Sequence, residues 1–313
     1  MPAIDTEDLT KDYALGFWRK RPYRALDRLT LQVEQGEVFG FLGPNGAGKT
    51  TTLKLLMQLV FPTSGRAEIL GRPVGDVTVR RRIGFLPENP YFYDHLTAIE
   101  LMEYFGRLLG LSSRERAERV PRLLDQVGLG AERRLALRRY SKGMMQRVGL
   151  AQALLNEPDV VFLDEPMSGL DPIGRRMVRE VILGLRDRGA TVFFSSHILA
   201  DAEAICSRVA ILVGGRLAAA GRLTDLLAFG VKGWEVVVDR VTSDVLGRIH
   251  TIEARVTRIA EGRYAVELPA TAQLERVLTD LVAAGASVIS LNPLRDTLED
   301  FFLREVAGHG HQR

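Results

Sequence analysis

Residues 43–50 read GPNGAGKT, eight positions that fit G-x-x-x-x-G-K-[ST], and the apolar run Val38-Phe39-Gly40-Phe41-Leu42 leads straight into them. A buried strand that ends in a glycine-rich loop and continues as a helix, here Thr51 to Leu59, aims consecutive backbone N–H groups at a chain of phosphates. Gly43, Gly46 and Gly48 permit the tight turn and the close backbone approach. Pro44, Asn45 and Ala47 complete the loop and Thr51 follows it, so all of these are candidate nucleotide contacts. Lys49 supplies a cation for the outer phosphates, and the Thr50 hydroxyl is placed to hold Mg²⁺. The spacing therefore predicts binding of a nucleoside triphosphate.

Residues 159–166, DVVFLDEP, carry matching chemistry: an apolar strand, then two adjacent carboxylates. Asp164, at the end of a buried strand beside the phosphate loop, would orient Mg²⁺ and its waters. Glu165 would project toward the terminal phosphate and polarise an attacking water. An Asp-Glu pair that merely opens a solvated loop is the alternative, and the phosphate loop upstream makes it the minor one.

The elements that position these groups fall into three stretches. From Ala3 to about Leu86, alternating runs at Leu29–Val33, Glu37–Leu42, Arg66–Leu70 and Ile83–Leu86 read as strands. Leu96 to Leu155 reads almost wholly helical, with Thr97 and Glu100 as a capping box and Ser141 as the cap of a helix ending near Leu155. From Asp159 the order is buried strand, helix, strand: Val160 to Leu163, Ile173 to Arg188, Ala190 to Ser195. That alternation implies an α/β fold with a mainly parallel core sheet, interrupted by a helical insertion over about 88–157.

Past Gly230 the texture changes. Trp234, Val236 and Val238 alternate with Glu235, Val237 and Asp239, as in a half-buried strand. A short helix at Ser243–Ile249, strands at Glu253–Ile259 and Tyr264–Leu268, a helix at Thr271–Ala284 and a strand at Ser287–Leu291 follow. The order β-α-β-β-α-β is that of a small α+β, ferredoxin-like unit. A last helix is expected from Asp296 to Val306, with Asp296 and Glu299 as a capping pair, and His309 and His311 read as a frayed tail. The expected domains are thus 1–230 and 231–313.

The chain has 313 residues, 46% of them apolar and 26% charged, with a net charge of +3, which is ordinary for a globular protein of one large and one smaller domain. Arginines between Arg107 and Arg147 are interspersed with glutamates and lack interleaved aromatics, which argues against nucleic acid as a partner. The lone Cys206 excludes an internal disulfide and suits a reducing compartment. The N-terminal MPAIDTEDLTKDY carries acidic residues without an apolar core, so no signal peptide is expected. No run approaches the roughly 18 apolar residues of a membrane span.

Residues 140–147, YSKGMMQR, stand just before the carboxylate strand and resemble the signature motif of ATP-binding-cassette (ABC) ATPases, usually written LSGGQ. SGLD at 168–171 resembles the D-loop of that family, and His197, after the apolar run Thr191 to Phe194, resembles its switch histidine. Tyr13 resembles the aromatic that stacks on adenine, with Phe17, Trp18 and Tyr23 as neighbours open to the same role or to packing. The resemblance covers roughly the first 230 residues and implies a P-loop NTPase cassette with an antiparallel β subdomain.

It also implies a dimeric mechanism. Two copies would close head to tail, with Ser141 and the Gly143 backbone N–H facing the γ-phosphate held by the partner. An uncapped helix N-terminus there would be an anion site carrying about half a positive charge. His197 would contact the γ-phosphate and orient the water with Glu165, and Asp171 would join the two sites.

Two positions depart from the family pattern. Pro87-Glu88 stands where a Gln that touches Mg²⁺ is usual, so Glu88 is either a metal- or water-orienting carboxylate or a solvent-facing one. Lys142 replaces the first signature glycine, and either adds a cation near the partner's γ-phosphate or points outward. The PEN and YSKGM forms, and the closing residues 298–303, LEDFFL, resemble a branch with separately encoded membrane subunits, often exporters. The implied protein is an ATP-hydrolysing subunit, peripheral at the cytoplasmic face of the cell membrane, that couples dimer closure to export by a separate transmembrane permease. A soluble ABC-type ATPase outside transport is the alternative. Tyr91, Phe92 and Tyr93 suit either a partner's helix or packing within the chain.

Overall fold

The computed structural model describes residues 1–16, 21–226, 231–241, 254–295 and 298–300. By its internal contacts the chain divides into two units, one spanning Met1–Leu223 and one beginning at Thr224.

The first unit opens with two long strands, β1 (Ile4–Leu15) and β2 (Arg21–Val33), then β3 (Val38–Leu42) and α1 (Lys49–Leu56). After them come β4 (Ser64–Ile69), β5 (Arg72–Pro73), α2 (Val77–Arg80) and β6 (Ile83–Leu86). Three helices follow: α3 (Ala98–Leu108), α4 (Ser113–Gln126) and α5 (Lys142–Ala153). The chain then returns through β7 (Val160–Asp164), α6 (Pro172–Asp187), β8 (Thr191–Ser196) and α7 (Leu199–Glu203). Two strands, β9 (Arg208–Val213) and β10 (Arg216–Arg222), close this unit, and a short helix α8 (Leu223–Leu226) spans the boundary to the next.

The core sheet has the order β10-β9-β3-β8-β7-β6, parallel throughout except for the β9–β10 pair. Every residue of β3, β7 and β8 is buried. Such unbroken apolar runs are what a parallel sheet covered on both faces requires. Phe193 forms the centre of the core, with its ring 5.6 Å from that of Phe39, 5.2 Å from Phe41 and 5.8 Å from Phe162. The register sets Leu42 beside Ser196, and Asp164 beside Ser195, so the carboxyl ends of β3, β7 and β8 finish at one edge. In an open parallel sheet, ligands gather at that edge.

The expected antiparallel subdomain is a second sheet, β2-β1-β4-β5. Its β1–β2 ladder is far longer than the run Leu29–Val33 suggests. Register shifts interrupt β1 between Thr6 and Leu9, Leu9 and Lys11, and Lys11 and Asp12, and such bulges erase the period-two pattern that would reveal a strand.

The helical insertion carries two capping boxes. Thr97 N–H donates to Glu100 Oε2 at 2.8 Å and Glu100 N–H to Thr97 Oγ1 at 3.3 Å; Ser112 and Glu115 repeat the exchange at 2.8 and 3.2 Å. The insertion meets the core sheet at Gly84 on β6. A Cβ there would lie 2.1 Å from the carbonyl oxygen of Ala153, so only a glycine lets the end of α5 rest on the strand. The aromatic trio divides: Phe92 packs edge-on against Phe105 at 6.0 Å and Tyr93 against Tyr104 at 6.2 Å, whereas Tyr91 is 97% exposed.

The second unit contains β11 (Val231–Asp239), β12 (Arg255–Ala260), β13 (Arg263–Pro269), α9 (Leu274–Ala283) and β14 (Ser287–Arg295). Its sheet is antiparallel in the order β12-β13-β11-β14, with the first and third strands central, as a ferredoxin-like unit demands. Val236, Val238, Val266 and Leu268 form its core with Val277 and Leu281 of α9. Leu298 to Asp300 are helical. The expected helix Ser243–Ile249, the remainder of the last helix, the tail histidines, Phe17 and Trp18 lie outside the described residues. Among the described residues no helix is long and apolar enough to cross a membrane.

Candidate nucleotide site

The loop from Gly43 to Gly48 joins β3 to α1, as its sequence requires. Gly48 caps α1 with φ +104°, and a Cβ on it would fall 2.4 Å from the Ala25 carbonyl oxygen. No side chain caps α1 among the described residues, so its first-turn N–H groups face the loop as donors. Lys49 Nζ donates to the Gly43 carbonyl at 2.7 Å and to that of Pro44 at 3.3 Å, and lies 3.2 Å from Glu165 Oε1.

Behind the loop, Asp164 is 1% exposed. Its Oδ1 accepts hydrogen bonds from Ser195 Oγ at 2.6 Å and Thr50 Oγ1 at 3.4 Å. Burial pushes its carboxyl above the usual range; the Ser195 and Thr50 hydrogen bonds oppose that rise, and the charges of Glu88 and Glu165 add to it. Ser195 Oγ also accepts the Glu165 backbone N–H at 3.0 Å, so one hydroxyl ties the Asp164 carboxylate to the Glu165 backbone. Glu165 itself adopts φ +50°, a left-handed conformation that turns the chain sharply at the strand end. Its Oε2 stands 2.8 Å from His197 Nδ1. The Gln146 side chain, on α5, reaches the Glu165 carbonyl at 3.4 Å.

These groups open onto a cleft of about 520 Å³ lined by Pro44, Asn45, Gly46, Ala47, Gly48, Lys49, Thr50, Thr51, Glu88, Glu165 and His197, with Tyr13 and Tyr23 at one wall. Tyr13 and Tyr23 are register partners across β1 and β2, and Lys11 Nζ lies 5.1 Å over the Tyr13 ring. Glu88 thus faces the cleft rather than bulk solvent alone.

Ser141 and Gly143 do not line this cleft. The N-terminus of α5 is capped by Ser141, as the sequence leads one to expect: Ser141 Oγ accepts the Met144 N–H at 3.2 Å, so the tip is not a bare anion site. Lys142 lays its stem along Gly169, where a Cβ would meet Lys142 Cδ at 3.0 Å, while a Cβ on Gly143 would meet Leu170 Cδ2 at 3.2 Å. The α5 tip and the residue 168–171 turn therefore pack on each other within one chain. Asp171 Oδ1 caps α6 by accepting the Gly174 N–H at 2.9 Å.

Sequence reasoning missed Ser195 and Gln146. A hydroxyl closing the otherwise apolar run TVFFSS was the available signal for the first; the second lies in the motif YSKGMMQR, which marks the segment but not the reach of Gln146 to Glu165. Among the described residues no three His, Cys, Asp or Glu side chains are grouped as a metal centre. Thr50 Oγ1 converging on a buried carboxylate nevertheless fits Mg²⁺, which takes one or two protein oxygens and completes its shell with water and phosphate.

A family model described as "ABC transporter" matches residues 26–168. An uncharacterized ABC transporter ATP-binding protein of Synechocystis is 45% identical over 98% of this chain and 85% of its own length. The bacitracin transport ATP-binding protein BcrA of Bacillus licheniformis is 36% identical, with 97% of each chain covered. Among solved structures, a dimeric post-hydrolysis state of the ATP-binding cassette MJ0796, bound to ADP and Pi, superposes with a TM-score of 0.65 at 27% identity. The match covers 70% of this chain and 98% of that one. Fold, cleft and relatives agree: the chain belongs to the ATP-binding, ATP-hydrolysing proteins of ABC transporters.

Proposed function

We propose that residues 1–230 form a nucleotide-binding cassette that closes head to tail on a second copy around Mg·ATP, and that this closure drives export through a separate transmembrane permease. The observation that carries it is the convergence of Lys49, Thr50, Glu165 and His197 on one cleft, with Asp164 buried behind them. Tyr13 stacks on the base; the residue 43–51 loop and the α1 N-terminus bind the phosphates, with Lys49 as their cation. Thr50 and Asp164, with Glu88 beside them, would hold Mg²⁺, which when bound would supply charge neutralisation at the phosphates. Glu165 takes the proton of the attacking water, and His197, fixed on Glu165 Oε2, orients both.

The capped tip of α5, with Ser141 and Gly143, faces the partner's nucleotide. A neutral hydroxyl that already accepts one N–H still has its own proton to donate to a phosphate oxygen. The protein works as a peripheral subunit at the cytoplasmic face of the membrane, and the Glu88–Leu101 segment with exposed Tyr91 receives the permease. BcrA serves bacitracin transport by its name, which supports the transport reading. Residues 231–313 form an accessory module that stabilises or regulates the dimer.

The test is light scattering of the Glu165→Gln protein with saturating ATP. A stable dimer is expected; a monomer at saturating ATP overturns the head-to-tail reading.

A further inference from the structure

Asp201 lies in the first turn of α7, four residues past His197, and is 4% exposed. Among the described residues its Oδ2 is the buried side-chain polar atom without a hydrogen-bond partner. A buried carboxylate oxygen left unbonded is costly and calls for an explanation. Two arginines of α6 face it just beyond bonding distance: Arg175 NH1 at 3.9 Å from Oδ2 and Arg179 NH1 at 3.6 Å from Oδ1. Burial pushes the Asp201 carboxyl above its usual range, opposed by these two cations.

Arg175 differs from Arg179 in a second contact. Its Nε donates to the Leu170 carbonyl at 3.3 Å, so one guanidinium touches both the residue 168–171 turn and the helix that follows His197. That turn in turn packs on Lys142 and Gly143. A continuous path therefore runs from the tip of α5, through Leu170 and Arg175, to Asp201 and the His197 segment. A shift of the turn by a fraction of an ångström brings Arg175 onto the unbonded Oδ2 or takes it away.

We propose that Arg175 and Asp201 form a positioning pair through which the residue 168–171 turn sets where His197 stands against Glu165. Neither Arg175 nor Asp201 lines the cleft of this chain. The pair acts by holding α7, and with it the His197–Glu165 contact of 2.8 Å, in register with the α5 tip. The idea rests on the ATPase reading above.

The experiment is steady-state ATP hydrolysis by the full chain and its Asp201→Asn and Arg175→Gln variants. Asp201→Asn keeps the shape and removes the charge. Its kcat should fall about tenfold while KM for ATP stays within about twofold, since misplacement of a catalytic group weakens the transition state and spares substrate binding. The double variant should be no slower than the slower single one, because the two residues act as a unit.

An inactive parent protein defeats the ATPase reading, whatever the variants do. With an active parent, an Asp201→Asn protein of parental kcat overturns the positioning pair, as does a loss carried in KM or a double variant whose deficit is the product of the two singles. Should Asp201→Asn fail to fold, as read by thermal unfolding, Arg175→Gln decides alone, since Arg175 is one-third exposed and its parental kcat would overturn the pair.

Discussion

Lys49 Nζ and Glu165 Oε1 lie 3.2 Å apart with both side chains at least nine-tenths buried. The other Glu165 oxygen is engaged by His197, so this carboxylate is held from two sides. An arriving triphosphate must take the ammonium from this carboxylate and from two loop carbonyls. On the proposed reading, phosphate binding at Lys49 and release of the Glu165 carboxylate are one event. Lys49→Ala should leave Glu165 a buried charge without its ammonium and cost on the order of 3 kcal/mol of stability. Adding Glu165→Gln should recover most of that loss. Urea unfolding of the single and double variants measures both; equal stability of Lys49→Ala and parent would show the pair to be irrelevant.

His197→Ala removes the group that orients Glu165. We expect kcat for ATP to fall about 100-fold, with nucleotide affinity nearly unchanged. Single-turnover hydrolysis together with equilibrium binding of a fluorescent ATP analogue separates the two. A large loss of affinity would place His197 in ground-state binding instead.

Glu88 lines the cleft, and its charge raises the Asp164 carboxyl. As a member of the Mg²⁺ set, its replacement by Gln should increase the Mg²⁺ needed for half-maximal hydrolysis about tenfold, the equivalent of roughly 1.4 kcal/mol. A Mg²⁺ titration at fixed ATP decides it. An unaltered requirement removes Glu88 from the set.

Gly48→Ala forces a side chain into φ +104° with its Cβ 2.4 Å from a carbonyl oxygen. A destabilisation of about 2 kcal/mol or more is expected, together with loss of nucleotide binding, because the loop must open to relieve the contact. Denaturant unfolding and isothermal titration report these separately.

Asp76 provides a pH test away from the site. Hydrogen bonds from the Thr78 hydroxyl, then the Thr78 backbone, then Arg72, lower its carboxyl to about 2. A folded-state value below the unfolded one means that its contribution is present above the unfolded value near 3.8 and is lost as pH falls through about 2. Asp76→Asn keeps an N-cap for α2 but cannot ionise, so its unfolding midpoint should vary less between pH 4 and pH 2 than the parent's. Parallel curves would mean that the Asp76 charge adds nothing.

How much the sequence reveals depends on how local the cause is. Lys49, Thr50, Asp164 and Glu165 are legible because an apolar run must end where their chemistry begins, and the buried β3 and β7 do end there. The Thr97–Glu100 box is legible for the same reason: both partners lie within one turn. Ser195 is not, since its hydrogen bond to Asp164 spans 31 positions and depends on two strands being adjacent. The β1–β2 ladder hides behind its bulges, and the β9–β10 pair behind a short antiparallel turn without strong alternation. The cap on the α5 tip is legible in Ser141, because the hydroxyl and the Met144 N–H that it accepts lie within one turn.

Gly84 gives the helical layer a mechanical grip on the sheet. With the Ala153 carbonyl seated where a Cβ would lie, α5 has no room to slide along β6, and β6 runs on through Leu86 into the Pro87-Glu88 turn. The close approach of α5 to β6 thus lies four residues before Glu88 along the chain. Any bulkier residue at this one position would lever α5 off the strand while leaving the Gly43–Thr50 loop sequence intact.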